Sequence, residues 1–198
     1  GVDPLKYSPT EVSDERVREI RQRYGVGDDD LMALFVGRLT KVKGVDGLIT
    51  AMPQVLKEVP NLKLVVVGLG EMQAQLEGLV QDLGLRETVK FRFEFIPEEE
   101  RIAHYAACDL AVFPSLYEPF GIVALEAMSM AKPVVVGAEG VSGMRESVLS
   151  EGRDRCGFHV NPESPESIAS GIIAAARDPA QRERMGENGR RRVFKEFN

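Results

Sequence analysis

Leu110-Ala-Val-Phe-Pro-Ser-Leu-Tyr-Glu-Pro-Phe-Gly-Ile-Val-Ala-Leu-Glu-Ala-Met128 contains an apolar run, a turn and a second apolar run. Leu110 to Phe113 is short and wholly apolar, as a strand covered on both faces must be. Pro114, Glu118, Pro119 and Gly121 supply the turn. Ile122 to Met130 then reads as a buried helix that Gly121 opens. A strand, a turn and a helix N-terminus in this order form an anion-binding corner, because the first N–H groups of a helix lack internal partners. Two carboxylates stand there: Glu118 in the turn and Glu126 within the apolar run, with seven residues between them. A carboxylate among apolar residues needs hydrogen-bond donors, since burying it unpaired is costly.

The same alternation extends in both directions. Residues 1–13 read as a loop. Ser13 is an N-cap for a charged surface helix, Asp14 to Tyr24, that stops at Gly25. Asp28 to Asp30 form a solvated turn, since three consecutive carboxylates cannot all face one ion. Strands are predicted at Leu31–Val36, Leu62–Val67, Val89–Phe93, Leu110–Phe113, Pro133–Val136 and Gly157–Val160. Helices are predicted at Gly44–Val59 (with a kink or break at Pro53), Met72–Leu83, Pro97–Cys108, Gly121–Met130, Pro165–Arg177 and Pro179–Glu196. Near-continuously apolar strands alternating with helices imply an α/β fold, a doubly wound parallel sheet of Rossmann-like type. The 198 residues are expected to form one domain, with 1–13 as a linker-like start.

Composition narrows the partners. The chain is 43% hydrophobic and 28% charged, with net charge −6 and pI about 5.1. Nothing here recommends nucleic acid or an anionic membrane as a partner. Arg190, Arg191 and Arg192 read as a solvated helix face. Cys108 and Cys156 are far apart and read as reduced small hydrophobes, which fits a cytoplasmic protein. Two histidines, His104 and His159, are too few for a multi-His metal site. No apolar stretch approaches the roughly 20 residues of a membrane span. Gly1 to Pro9 has no signal-peptide core, and a first residue other than Met suits a fragment.

In a doubly wound sheet, ligands bind beyond the carboxyl ends of the strands. That selects the loops Gly37–Gly44, Gly68–Glu71, Glu94–Pro97 and Pro114–Gly121. In the first, Gly37 allows close backbone approach, and Arg38 and Lys43 are either matched to a diphosphate or surface cations. Gly68-Leu69-Gly70 lacks the third glycine of a dinucleotide fingerprint and reads as a tight turn. Phe95 and Ile96 either flank a base or belong to the core. Glu98, Glu99 and Glu100 suit the first turn of a helix. In the fourth loop the N–H groups of Gly121, Ile122 and Val123 point at an anion. Glu126 shares a face with Ser129 and then Lys132. That pattern fits a polar stripe reaching solvent, or a carboxylate that accepts both hydroxyls of a ribose.

Phe35-Val-Gly-Arg-Leu39, Lys43-Gly44 and Glu118-Pro-Phe-Gly-Ile-Val-Ala-Leu-Glu126 together resemble the retaining GT-B glycosyltransferases, specifically the GT4 and glycogen-synthase-like branch. Gly1-Val2-Asp3 with Tyr7-Ser8-Pro9 resembles that family's linker, and Met185 to Phe194 resembles its ending. The resemblance implies one half of a GT-B fold, the donor-binding domain, with the N-terminal acceptor domain absent. It implies that Arg38 and Lys43 hold the donor diphosphate and Glu118 contacts the transferred sugar. Phe120, Gly121, Ile122 and Val123 would present main-chain groups, and Glu126 would bind the ribose diol. The donor would be a UDP-, ADP- or GDP-sugar, with no metal and no further cofactor. One departure is Ser142, which stands where the family often has the first of two glycines. Expected activity is hexosyl transfer with retention, the isolated domain binding nucleotide and transferring little. Two alternatives remain: a dinucleotide- or flavin-binding module, and a nucleotide-sugar epimerase on the same scaffold.

Overall fold

The computed structural model describes residues 1–198. Six parallel strands form one sheet: β1 (Leu31–Val36), β2 (Leu62–Val67), β3 (Val89–Arg92), β4 (Leu110–Phe113), β5 (Val134–Gly137) and β6 (Gly157–Val160). Their spatial order is β3-β2-β1-β4-β5-β6. The order reverses between β1 and β4, which opens a crevice at their carboxyl ends. The β1–β2 pairing is long, Leu31↔Leu62 through Val36↔Val67, whereas β1–β4 pairs only Ala33↔Leu110 and Leu34↔Ala111. Apart from Leu31 and Lys63, β1, β2, β4 and β5 are buried throughout, and the Phe35 and Phe113 rings meet at 6.2 Å across the two central strands. Burial on both faces explains why β1, β2, β4 and β5 are near-continuously apolar, whereas the edge strand β3, Val89-Lys90-Phe91-Arg92, alternates and is half-buried.

The helices are α1 (Asp14–Arg23), α2 (Val45–Glu58), α3 (Gln73–Asp82), α4 (Glu98–Ala107), α5 (Ile122–Ser129), α6 (Met144–Ser147), α7 (Pro165–Arg177) and α8 (Pro179–Arg192). α2 packs on α3 and α7, α1 on α4, and α5 on α8. Right-handed crossovers dictate this arrangement, since steps leftward from β1 and rightward from β4 carry their helices to opposite faces. Caps act where the sequence places them: Ser13, Ser164 and Asp178 accept from the N–H groups of Arg16, Ser167 and Gln181.

Several expectations are corrected. α2 runs unbroken through Pro53, because its buried face (Leu48, Ile49, Met52 and Val55) outweighs the missing hydrogen bond. Pro97 is the N-cap of α4 rather than its first residue. α8 gives way at Val193 to a π turn, Val193–Phe197. α1 is not purely a surface helix: Ile20 is fully buried. Of the terminal arginines only Arg191 is exposed as a solvated face requires. Arg190 donates to the carbonyls of Pro4, Tyr7 and Ser129, and Arg192 to those of Glu146 and Ser147. The linker-like start is thereby tied to α5 and α8. No helix is long and apolar enough to cross a membrane.

Candidate functional site

The loops at the crevice are stitched together by backbone contacts. Gly37 N–H donates to Val67, Gly68 N–H to Arg92, Leu39 N–H to Leu69 and Leu116 N–H to Val42. Glycine is needed where these loops touch. A Cβ at Gly68 would lie 1.8 Å from the Gly37 carbonyl oxygen, and one at Gly44 would lie 2.0 Å from that of Pro114. The pair in Gly68-Leu69-Gly70 therefore serves loop-to-loop packing, in keeping with a tight structural turn.

A cleft of about 540 Å³ lies over these loops. Gly37 and Arg38 line it from β1, Phe95 and Ile96 from β3, and Ile122, Val123 and Glu126 from α5. The structure thus brings seven of the sequence-predicted residues to one cavity. The pair divides between the two roles: Phe95 is 84% exposed at the cleft, whereas neighbouring Ile96 lines it but is buried against the core. Arg38 is exposed and makes no ion pair or side-chain hydrogen bond. Its guanidinium therefore retains its full set of donors on the cleft wall.

Lys43 and Glu118 lie beside the cleft, paired with each other. Lys43 Nζ donates to Glu118 Oε2 at 2.5 Å, linking the β1 and β4 loops. Glu118 Oε1 accepts from the Gly121 N–H at 3.4 Å. This corrects the expectation for Gly121: its N–H is used within the chain. Gly121 instead opens α5 from a left-handed conformation, φ 65°, which leaves the N–H groups of Ile122 and Val123 unpartnered in the protein. Phe120 is 84% exposed and does not line the cleft.

A fifth loop, after β5, also shapes the site. Its Val141 carbonyl accepts from Glu118 N–H, its Gly143 N–H donates to the Glu118 carbonyl, and Ser142 Oγ donates to the Gly137 carbonyl. Ser142, the departure from the family pattern, thus folds its hydroxyl into its own loop. Glu118 is gripped through its backbone on one side and its carboxylate on the other.

Glu126 is buried and reaches no solvent stripe. Oε2 accepts from Tyr105 Oη at 2.8 Å and Arg101 Nε at 3.2 Å; Oε1 accepts from Tyr7 Oη at 3.2 Å and Arg101 Nη2 at 3.4 Å. Burial and the adjacent Glu126 charge raise the pKa of both tyrosines, so they act as neutral donors. Burial lowers the Arg101 pKa, but Glu126 and Tyr7 more than reverse this, and the guanidinium stays charged. Arg101, Tyr105 and Tyr7 were missed in the sequence. A signal existed for α4: Glu98, Arg101 and Tyr105 fall on one helical face. No three His, Cys, Asp or Glu side chains converge to hold a metal ion.

The profile of the glycosyl transferases group 1 family matches residues 16–192. An uncharacterized glycosyltransferase of Methanocaldococcus jannaschii is 40% identical over all of this chain and 48% of its own length. A GDP-mannose-dependent alpha-(1-6)-phosphatidylinositol monomannoside mannosyltransferase of Mycolicibacterium smegmatis is 35% identical over 96% of this chain and 49% of its own. The solved structure of Anabaena HepE in complex with UDP and glucose superposes with a TM-score of 0.84 at 29% identity, over 100% of this chain and 52% of that one. The chain spans about half the length of the curated relatives it matches. With a parallel Rossmann-like sheet, a cleft at its switch point and a match across most of its length, the chain belongs to the glycosyl transferases group 1 family.

Proposed function

We propose that this chain is the donor-binding half of a retaining GT-B hexosyltransferase, and that its cleft takes a nucleoside diphosphate sugar. One observation carries this most directly. Arg38, the free N–H groups of Ile122 and Val123, and Glu126 share a single cavity, and that set matches a diphosphate followed by a ribose diol. The base packs on Phe95 and Ile96. The diphosphate lies against Arg38 and the α5 N-terminus, where a fixed cation and the helix dipole favour negative charge. Lys43 reaches the same region from its pair with Glu118. As the glycosidic bond breaks, charge builds on the leaving diphosphate, and preorganised cations stabilise it without a metal. Glu118, held by Lys43 and the helix start, faces the transferred sugar. The reaction retains anomeric configuration by departure and attack on one face.

A second domain supplies the acceptor surface, so the isolated chain binds nucleotide and transfers little. The dinucleotide alternative is weakened by Gly68 and Gly70, whose small size is already needed for loop packing. The base differs among similar proteins: the M. smegmatis mannosyltransferase is GDP-mannose-dependent, and Anabaena HepE holds UDP. Calorimetry with UDP, ADP and GDP therefore tests the site and selects the base together. Arg38→Ala and Lys43→Ala should each lose on the order of 1.5–3 kcal/mol, the worth of one charge-assisted phosphate contact. Unchanged affinity in both variants would remove the diphosphate assignment.

A further inference from the structure

Glu126 poses a counting problem. A carboxylate offers about four lone-pair directions, and Tyr7, Tyr105 and the two Arg101 nitrogens approach all of them. A ribose diol docking on Glu126 would have to displace one. The Tyr7 hydroxyl is the donor with somewhere else to go. It lies 2.8 Å from Glu98 Oε2 and 3.2 Å from Glu126 Oε1. It has one proton, so it can donate to only one of the two carboxylates at a time. Its acceptor side is taken by Arg101 Nη2 at 2.8 Å in either case.

The surroundings hold Tyr7 itself in place. The Tyr7 carbonyl accepts from Ser129 Oγ at 2.7 Å and from Arg190 Nη1 at 3.0 Å, and the residue is buried. Glu98 is anchored by an ion pair with Lys6 and stands 3.7 Å from Arg101. Turning the O–H bond is the one motion needed to free a lone pair on Glu126, and it exchanges one hydrogen bond to a carboxylate for another.

We propose that the Tyr7 hydroxyl is a two-position donor, which the nearer Glu98 draws away from Glu126 so that a ribose hydroxyl can dock there. Tyr7 and Glu98 are then positioning residues of nucleoside recognition, contributed by the linker-like start and by α4. This rests on the donor-site assignment above.

The measured quantity is the ratio of affinities for a nucleoside diphosphate and its 2′,3′-dideoxy counterpart, using whichever of UDP, ADP or GDP binds best. The unsubstituted chain favours the ribose form. Glu98→Ala, at a partly exposed position, leaves Glu126 as the only protein acceptor for the Tyr7 proton, and the ratio falls about tenfold. Tyr7→Phe removes the competing donor and keeps the ratio. In the double variant, Glu98→Ala has no further effect on it. An unchanged ratio in Glu98→Ala, or an equal fall when Tyr7 is already Phe, overturns the proposal and leaves the donor site standing. If the unsubstituted chain binds none of the three nucleotides, the donor site and this inference fall together. If it binds without preferring ribose, the placement of ribose on Glu126 falls, and the proton switch with it.

Discussion

Replacing Arg101 by Met tests whether Glu126 is a buried charge held by its partners. The Glu126 side chain is 9% exposed and that of Arg101 20%. Removing one member of a buried pair generally costs about 3–5 kcal/mol, because the other charge is left uncompensated. Tyr105 and Tyr7 would still donate to Glu126, so Arg101→Met should fall at the low end, about 3 kcal/mol. Glu126→Gln keeps the shape and leaves a cation nearer to water, so its cost should be about 1.5 kcal/mol. The double variant removes both charges and should cost about 2 kcal/mol, well below the summed singles. The coupling is then about 2.5 kcal/mol. Urea unfolding of the four proteins measures it, provided the dependence on denaturant is the same in each. A double variant equal to the sum within about 0.5 kcal/mol would show that the pair is not coupled and that Glu126 is held some other way.

Gly68→Ala should destabilise the fold by at least about 2 kcal/mol, because its Cβ would meet backbone that cannot yield; a loss under about 0.5 kcal/mol in urea unfolding would refute the loop contact. Burial, the largest cause, lowers the His104 pKa from 6.5 to about 4. The unfolded chain therefore binds this proton first, and stability should fall as pH drops through that window; an imidazole titrating near 6.5 in the folded chain by NMR would contradict it. Burial raises the pKa of Glu100, but hydrogen bonds from Arg23 and Arg92 and the charge of Arg16 outweigh it and bring it from 4.5 to about 2. Its contribution is present above pH 4.5 and lost toward pH 2, so the stability gap between the unsubstituted chain and Glu100→Gln should close over that range; a constant gap would refute the assignment. Arg190→Leu strips a donor from three carbonyls, and amide exchange at Val2 and Tyr7 should speed up at least tenfold, a result that unchanged rates would refute.

The sheet was legible because its signal is local. Most strands are short apolar runs bounded by turn residues, and β1, β2, β4 and β6 fall where expected. Four of the crevice loops followed from the rule that ligands sit at strand ends. Pro53 misled because helix propensity is a local prior, and the packed face of α2 overrides it. The arginine run misled for a related reason: Arg190 and Arg192 look as solvated as Arg191 until distant carbonyls are brought to them. Tyr7 was illegible for the same cause, since its partner Glu126 lies 119 residues away and no periodicity connects them.

The two carboxylates show how one helix sets two charges to different tasks. Glu118 stands just before α5, where the N-terminal dipole favours its charge, and it is paired with a single lysine in a loop. Few contacts hold its carboxylate, so a ligand can draw Lys43 away or share it. Glu126 lies one turn inside α5, beyond the strongest part of the dipole, among apolar neighbours. It can stay charged there only if side chains from elsewhere supply donors, and α4 and the linker-like start do so. A site that binds through Glu126 depends on where those donors point, whereas one that binds through Glu118 competes only with Lys43. That difference predicts that substitutions at Glu98 and Arg101 alter selectivity for ribose, whereas those at Lys43 and Arg38 alter affinity for phosphate.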